Sequence, residues 1–225
     1  MHVDAPLRLP AADAPSQADR AYLAIRDLIV SLELRPGSVI NERELMERIG
    51  VGRTPTREAL QRLAQERLVE VYPRRGMFVT SVDIRDLASL SEVRVVLESH
   101  AARLVAERAN DADRESIEEL LRELGGRQPA DQRALMDLDR RIHRHVYACT
   151  HNHFLATTLE EYYALALRIW FLALDRPVEL RGAVLEHRAL LEAIRDGDSK
   201  TAEQAMRSHV LDFEQAIRRV LVGGS

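Results

Sequence analysis

The sequence predicts a mainly α-helical protein, with an N-terminal winged helix-turn-helix followed by a C-terminal antiparallel bundle of six helices. Two patterns and the length of the chain lead to this fold. Short helical patterns, separated by turn residues, fill the first 80 residues and end in two β-like runs. Every later segment has the periodicity of an amphipathic helix. With 225 residues, 46% of them hydrophobic, the chain can bury one large core or two small ones.

The first 16 residues are expected to form a disordered tail, because they lack the continuous apolar segment of a secretory signal. No apolar run approaches the roughly 18 residues that cross a bilayer, so no membrane contact is expected. Since Cys149 is the single cysteine, no intrachain disulfide can form. A reducing cytoplasm is therefore the expected location.

Three helices are predicted before the β-like runs. Apolar residues at helical spacing predict the first helix, which an Arg-Pro-Gly turn at residues 35–37 ends. Asn41 is a good N-cap and Gly50 a typical C-cap, which predicts a short second helix between them. Thr54 and Pro55 predict the start of the third helix, as its N-cap and first helical residue.

A hairpin is predicted after the helices. Two β-like runs, at residues 68–72 and 77–80, flank a basic Pro-Arg-Arg-Gly turn. Two short helices joined by a glycine-containing turn form a helix-turn-helix, and a hairpin after them is a wing. Residues 17–80 are therefore expected to be a winged helix that binds double-stranded DNA.

The charge of the chain is unevenly distributed. A net charge of −4 would by itself argue against nucleic-acid binding. Residues 1–80 carry 12 arginines against 11 acidic residues, whereas residues 81–225 carry 20 basic against 25 acidic residues. The acidic excess belongs to the predicted bundle and does not exclude a DNA-binding winged helix.

Polar residues of the third helix and the wing are the predicted DNA contacts. The first residues of a recognition helix reach base edges in the major groove, and Arg57 is suited to a bidentate contact with guanine. Other arginines are placed for phosphates or a minor groove, although each alone could be a solvated surface residue. The predicted contacts are Arg43, Arg53, Thr54, Thr56, Arg57, Gln61, Arg74, Arg75 and Gly76.

Six helical patterns follow the wing and predict a bundle over residues 84–222. Turn-forming pairs such as Asn-Asp and Gly-Gly separate them. The patterns cover about residues 84–108, 112–125, 130–149, 152–174, 179–196 and 199–222.

Ionisable residues interrupt the apolar stripes of three of these helices. Asp139 and His143 share the inward face of one helix, and His187 and His209 lie on the inward faces of two others. Unpaired burial is costly, so these groups must compensate one another or a ligand. One carboxylate and three imidazoles suit a divalent metal, most simply zinc, with nickel or manganese as alternatives. A hydrogen-bonded core residue is the alternative for any single histidine.

Arg94 lies on the inward face of the first bundle helix and needs an anion there. That anion is either an internal carboxylate or the carboxylate of a bound effector. Tyr162 and Arg168 can complete a polar pocket beside Arg94, with packing at the edge of the bundle as the alternative. We predict an effector site at these three residues.

A resemblance to the GntR family of bacterial transcription regulators is carried by residues 34–79, which read LRPGSVINERELMERIGVGRTPTREALQRLAQERLVEVYPRRGMFV. This resemblance implies that Arg43, Arg53, Arg57 and Gly76 contact operator DNA.

The bundle resembles the FCD effector domain of the FadR branch of that family. The segments that carry this resemblance are MDLDRRIHRHVY, EHRALLEAI and MRSHV, which match the metal-binding version. Six helices make it similar to the VanR subgroup. The resemblance implies a homodimer, with Arg94 beside a small organic acid effector. It also implies that a divalent ion is held by Asp139, His143, His187 and His209.

The expected function is that of a ligand-responsive transcription regulator, most simply a repressor, that binds a palindromic operator as a homodimer. A small carboxylate effector would change operator affinity by preferring one state of the bundle. The alternatives are a metal-dependent enzyme that activates water, a metal-ion sensor and a purely structural metal. An enzyme would leave the winged helix unexplained, so no enzymatic activity is expected.

Overall fold

The computed structural model describes residues 16–126, 132–173 and 180–222. Within these ranges the chain forms nine helices and a two-stranded sheet. The chain divides into two compact units, with the boundary between Ser81 and Val82. Residues 1–15 of the predicted tail lie outside the described residues, whereas Ser16, its last residue, caps the first helix.

The first unit is the predicted winged helix. Its elements are α1 (Gln17–Val30), α2 (Glu42–Ile49), α3 (Arg53–Gln65), β1 (Val69–Tyr72) and β2 (Gly76–Val79). Apolar faces of α1 and α3 pack against each other and form its core. The strands pair antiparallel, and the segment before α2 donates and accepts hydrogen bonds along the other edge of β2. Backbone hydrogen bonds thus attach the wing to the segment that leads into α2.

The caps of α2 form as predicted. The side chain of Asn41 accepts hydrogen bonds from the backbone N–H groups of Arg43 and Glu44. Gly50 ends the helix in the left-handed conformation, with φ 66°. Glycine adopts this conformation without the steric cost that a Cβ brings, so Gly50 sets the direction of the turn into α3.

The recognition helix α3 begins earlier than the sequence predicts. Gly52 is its N-cap, so the prediction that Thr54 caps the helix is wrong. Pro55 still lies in the first turn, where its missing N–H is tolerated because those groups have no acceptor within the helix. The earlier start adds Arg53 and Thr54 to the first turn of α3.

The second unit is a bundle of six helices. They are α4 (Asp86–Arg108), α5 (Asp111–Gly125), α6 (Gln132–Cys149), α7 (His153–Ala173), α8 (Leu180–Arg195) and α9 (Ser199–Val222). Each lies within two residues of its predicted bounds. α4 is the central helix, because it packs along α9 and also contacts α6, α7 and α8. No helix in the described part of the chain combines the length and hydrophobicity of a membrane span.

Because α4 is the central helix, more of its surface is buried than a single apolar stripe predicts. Leu97 is half-buried, whereas the next residue, Glu98, is fully buried. A helix that packs against several neighbours has more than one inward face. The carboxylate of Glu98, which does not belong to the apolar stripe, therefore lies in the interior, one helical turn from Arg94.

Gly50→Ala should destabilise the first unit by about 1 kcal/mol, because an alanine is strained in the left-handed conformation. A Cβ at this position would meet no atom within 4 Å, so the loss comes from the backbone alone. Gly50→Asn is the matched control and should lose less, since asparagine tolerates this conformation. Urea denaturation measures both, and equal losses for the two variants would contradict the explanation.

Candidate functional site

Asp139, His143, His187 and His209 lie together inside the bundle. One ligand atom from each lies within 4.8 Å of the others, and all four residues are buried. α6 supplies the first two from successive turns, and α8 and α9 supply one histidine each. His143 Nε2 lies 3.2 Å from His187 Nε2 and 3.3 Å from His209 Nε2. The fold thus brings together the four residues that the sequence singled out.

Two of the imidazoles present Nδ1 to fixed hydrogen-bond acceptors. His187 Nδ1 lies 3.3 Å from the backbone oxygen of Val184. His209 Nδ1 lies 3.2 Å from Glu186 Oε2. Carbonyl and carboxylate oxygens accept hydrogen bonds, so Nδ1 carries the proton in both rings. Their Nε2 lone pairs therefore face the centre of the cluster.

The third imidazole faces a buried ion pair. His143 Nδ1 lies 3.0 Å from Glu98 Oε2 and 3.1 Å from the hydroxyl of Tyr147. Arg94 Nε donates a hydrogen bond of 2.6 Å to Glu98 Oε1. Burial opposes the charge on Glu98, but Arg94 and His143 hold the pKa of its carboxyl far below the ordinary range. Nε2 of His143 lies close to the Nε2 atoms of the other two histidines and also faces the centre.

The protonation states match those of a metal site. Burial opposes ionisation of Asp139, but the three imidazoles together hold its pKa below the ordinary value. Tyr163 donates a hydrogen bond of 2.5 Å to Asp139 Oδ2. Burial lowers the pKa of His187, and burial together with the neighbouring His143 lowers the pKa of His209 to about 4. A neutral imidazole and an ionised carboxylate are the forms that bind metal, and the lowered pKa values of His187, His209 and Asp139 favour those forms.

The cluster fits a divalent ion. Three nitrogen lone pairs that face one another across little more than 3 Å are unfavourable in an apolar interior unless a cation or a proton lies between them. Three nitrogens and one carboxylate oxygen are a donor set that zinc accepts. Glu186 lies behind the ring of His209 as a hydrogen-bond acceptor, as carboxylates behind ligating histidines commonly do. These residues can therefore hold a metal ion.

The three residues of the predicted effector site have different surroundings. Arg94 is buried, and its guanidinium carbon lies 5.6 Å from the ring centre of Tyr163. Arg168 is 1% exposed, and burial lowers its pKa to about 10. Tyr162 is half-buried, and it is the next residue, Tyr163, that bonds to the cluster. The tyrosine that faces the cluster is thus Tyr163, not the predicted Tyr162.

Four residues around the cluster were missed by the sequence reasoning: Glu98, Tyr147, Tyr163 and Glu186. Glu98 follows Arg94 by four residues, a spacing at which oppositely charged side chains pair on a helix. Tyr147 follows His143 at the same spacing. Those two intervals are signals that could have revealed them. Tyr163 and Glu186 pair with residues of other helices, which a single helical pattern does not show.

Eight of the nine predicted DNA contacts are exposed on the first unit: Arg43, Arg53, Thr54, Arg57, Gln61, Arg74, Arg75 and Gly76. The members on α3 line an open cavity of about 560 Å³. Arg57 donates to both carboxylate oxygens of Glu42, from Nε over 2.8 Å and from Nη2 over 3.2 Å. This fork between α2 and α3 holds the guanidinium at the surface of the recognition helix.

Thr56 is the exception among the predicted contacts. It is fully buried, and its hydroxyl donates a hydrogen bond of 2.9 Å to the backbone oxygen of Gly52. The side chain therefore braces the first turn of α3 and cannot reach a base. Its neighbours Thr54 and Arg57 remain exposed.

The wing ends in a tight turn with two exposed arginines. Tyr72 pairs with Gly76 at the end of the ladder, and Arg74 and Arg75 lie in the turn between them. Gly76 has φ 100°, a conformation that residues with a Cβ rarely adopt. The backbone therefore favours glycine at the position where the basic turn ends and β2 begins.

Each of the two units matches a known protein family. Residues 17–79 match the family described as bacterial regulatory proteins, gntR family, and residues 89–212 match the FCD domain. The chain is 33% identical to an uncharacterized HTH-type transcriptional regulator in an unstable DNA locus of Streptomyces ambofaciens, over 88% of this chain and 84% of the relative.

Two Escherichia coli proteins are also similar. The galactonate operon transcriptional repressor is 28% identical over 91% of this chain and 98% of its own length. The structure of McbR/YncC has a similar fold, with a TM-score of 0.79 and 22% identity, and the match covers 91% of this chain and 98% of that chain.

His187→Ala and His209→Ala should each lower the amount of divalent metal in the purified protein, because each removes one nitrogen ligand from a buried site. His145→Ala is the matched control, since His145 lies on α6, as Asp139 and His143 do, but contacts Cys149. Elemental analysis gives the stoichiometry. Wild-type metal content in both cluster variants would refute the ligand set.

Proposed function

The chain belongs to the GntR family of bacterial transcription regulators and carries an FCD domain, and we propose that it is a repressor whose operator binding is controlled by a small organic acid bound at a metal site. It is a DNA-binding transcription regulator, and it is not an enzyme. One observation carries the proposal for the second unit. Four buried ligand groups converge there with a buried arginine beside them.

We infer that α3 enters the major groove and that the wing contacts the backbone or the minor groove. Exposure of Arg53, Thr54, Arg57 and Gln61 on one helix supports the first contact. The N-terminal amides of α3 also favour a phosphate. A homodimer with two such helices would bind a palindromic operator in the cytoplasm.

The proposed metal ligands are Asp139, His143, His187 and His209, with zinc favoured and nickel or manganese as alternatives. A divalent ion supplies a Lewis acid with positions open to a further oxygen ligand. Burial favours the neutral form of His187 and His209, and the neighbouring imidazoles favour the ionised form of Asp139. Metal binding then depends on a preformed set of donors.

The proposed effector is a small organic acid. Arg94 brings a positive charge into the interior beside Glu98 and near the proposed divalent ion. A divalent ion and a guanidinium together favour an anion. Arg94 uses Nε for Glu98, so its terminal nitrogens are the donors proposed for the effector carboxylate. Tyr162 and Arg168 are proposed to line the rest of the pocket.

Regulation follows from differential binding. An effector that contacts residues of several helices stabilises the arrangement in which those contacts are best. The affinity for the operator then changes by the coupling free energy, typically about 1–3 kcal/mol. The galactonate operon repressor, a relative of this chain, supports repression as the basal state. Release from DNA is therefore the proposed response to the effector.

Arg57→Ala should reduce the preference for the operator over scrambled DNA, because it removes the proposed base contact. Arg74→Ala, the matched control on the wing, should weaken binding to both DNAs alike and reduce the salt dependence. Fluorescence anisotropy with the DNA flanking the gene measures both. Equal affinity of the wild-type protein for the two DNAs would refute sequence-specific regulation.

Small carboxylates should raise the melting temperature of the metal-loaded wild-type protein and have little effect on Arg94→Ala. The reason is that the variant lacks the proposed partner of the carboxylate. Arg103→Ala, with the arginine elsewhere on α4 and partly exposed, is the control and should respond like wild type. A thermal-shift screen measures all three. Equal shifts in Arg94→Ala and wild type would exclude the role given to Arg94.

A further inference from the structure

Two buried polar groups of the bundle have no hydrogen-bond partner in the described part of the chain. They are the indole N–H of Trp170 on α7 and the hydroxyl of Ser91 on α4, and both residues are 1% exposed. A buried donor without an acceptor is unfavourable, and almost all such groups in native proteins are paired. Neither group changes its protonation state near neutral pH, so what each requires is an acceptor oxygen.

Helical spacing places both groups on faces that continue from the cluster. Trp170 lies two helical turns beyond Tyr163 on the same face of α7, and Tyr163 bonds to Asp139 of the cluster. Ser91 precedes Arg94 by one helical turn on α4. The helices α4 and α7 pack against each other, and both contact α9. The interior faces of these three helices therefore extend from the cluster to Ser91 and Trp170.

Phe213 on α9 lies next to both the indole and Arg94. Its ring centre is 5.5 Å from that of Trp170, with the two rings edge to face, and 5.6 Å from the guanidinium carbon of Arg94. Phe213 follows His209, a member of the cluster, by one turn of α9. The indole is thus one aromatic ring away from the arginine that is proposed to hold the effector.

We propose that Trp170 and Ser91 determine effector specificity, as donors to a second, uncharged oxygen of the effector at the end away from its carboxylate. This rests on the effector site proposed above. The levels of Arg94 and Ser91 differ by one helical turn, about 5 Å, so the two ends of a short acid reach both. An indole N–H only donates, and a hydroxyl donates or accepts, so a hydroxyl or carbonyl oxygen suits the pair. A second carboxylate is disfavoured, because neither donor carries a charge that would compensate it.

Unpaired donors at this place give a basis for discrimination. A site that hydrogen-bonds a hydroxyl rejects the analogue that lacks it, because the polar groups of the site then stay unpaired. A second serine of α4 shows the contrast. Ser99 is also buried, but its hydroxyl donates to the backbone oxygen of Val95 in its own helix. Ser91 makes no such bond within the described residues, so its hydroxyl is available to a ligand.

The test uses the full metal-loaded chain and two pairs of acids that differ by one terminal oxygen. The pairs are butanoate with 4-hydroxybutanoate, and hexanoate with 6-hydroxyhexanoate. Isothermal titration calorimetry should show that the wild-type protein binds at least one hydroxy acid about 10-fold more tightly than its parent acid. Ser91→Ala and Trp170→Phe should each reduce this preference. Ser99→Ala is the matched control and should keep it.

Two further measurements do not depend on affinity. Trp170 is the only tryptophan of the chain, so the fluorescence of the wild-type protein reports on its indole. The preferred hydroxy acid should shift the emission to longer wavelength, and its parent acid should not. Without ligand, Ser91→Ala should melt no lower than wild type, because it removes an unpaired hydroxyl. Ser99→Ala should melt lower, because it breaks a hydrogen bond.

Equal affinities within both pairs would overturn the proposal and leave the effector site standing. So would an unchanged preference in Ser91→Ala and Trp170→Phe, or no binding of the four acids by a protein that binds other carboxylates. A melting temperature of Ser91→Ala as low as that of Ser99→Ala would show that the hydroxyl is already paired, which also overturns it. If no carboxylate binds at all, the effector site itself fails. Should Trp170→Phe not fold, Ser91→Ala and its control decide.

Discussion

The second unit is built around the compensation of charged and polar groups in an apolar interior. Asp139 and three histidines lie where the helices of a simple bundle would carry leucine or valine. Burial makes each of them costly alone, and the packing brings them within reach of one another. The same requirement extends outward to Glu98 and its arginine. The proposed divalent ion would complete this arrangement, because it would satisfy all the inward lone pairs at once.

This constraint ties together elements that are distant in the chain. α6, α8 and α9 each contribute residues to the cluster, and the ion pair of Arg94 and Glu98 on α4 lies beside it. A change of charge at the cluster therefore acts on four helices together. Such a shared contact is a physical basis for a bundle with two arrangements. The winged helix needs no comparable centre, since the apolar faces of α1 and α3 form its core.

The sequence predicts the elements and the four residues of the cluster well because each leaves a signal within one helix. Asp139 and His143 are one turn apart, and His187 and His209 stand in apolar registers. Thr54 was wrongly predicted as a cap because glycine can cap without a side chain, which leaves no mark in a pattern. Glu98 was missed because one stripe assumes one packing face, whereas α4 has several. Adjacent positions differ by about 100° around a helix, so a small error in phase exchanges Tyr162 for Tyr163.

The fork between Glu42 and Arg57 also affects the entropy of DNA recognition. A free arginine samples many rotamers, and ordering it on a base is unfavourable. Two hydrogen bonds to Glu42 restrict this side chain before any DNA is present. These two hydrogen bonds use Nε and Nη2 of Arg57, and the edge of the guanidinium that carries Nη1 is left for a planar acceptor. The carboxylate also offsets the attraction of Arg57 for phosphates of any sequence. The recognition helix is thereby biased towards reading a base over holding the backbone.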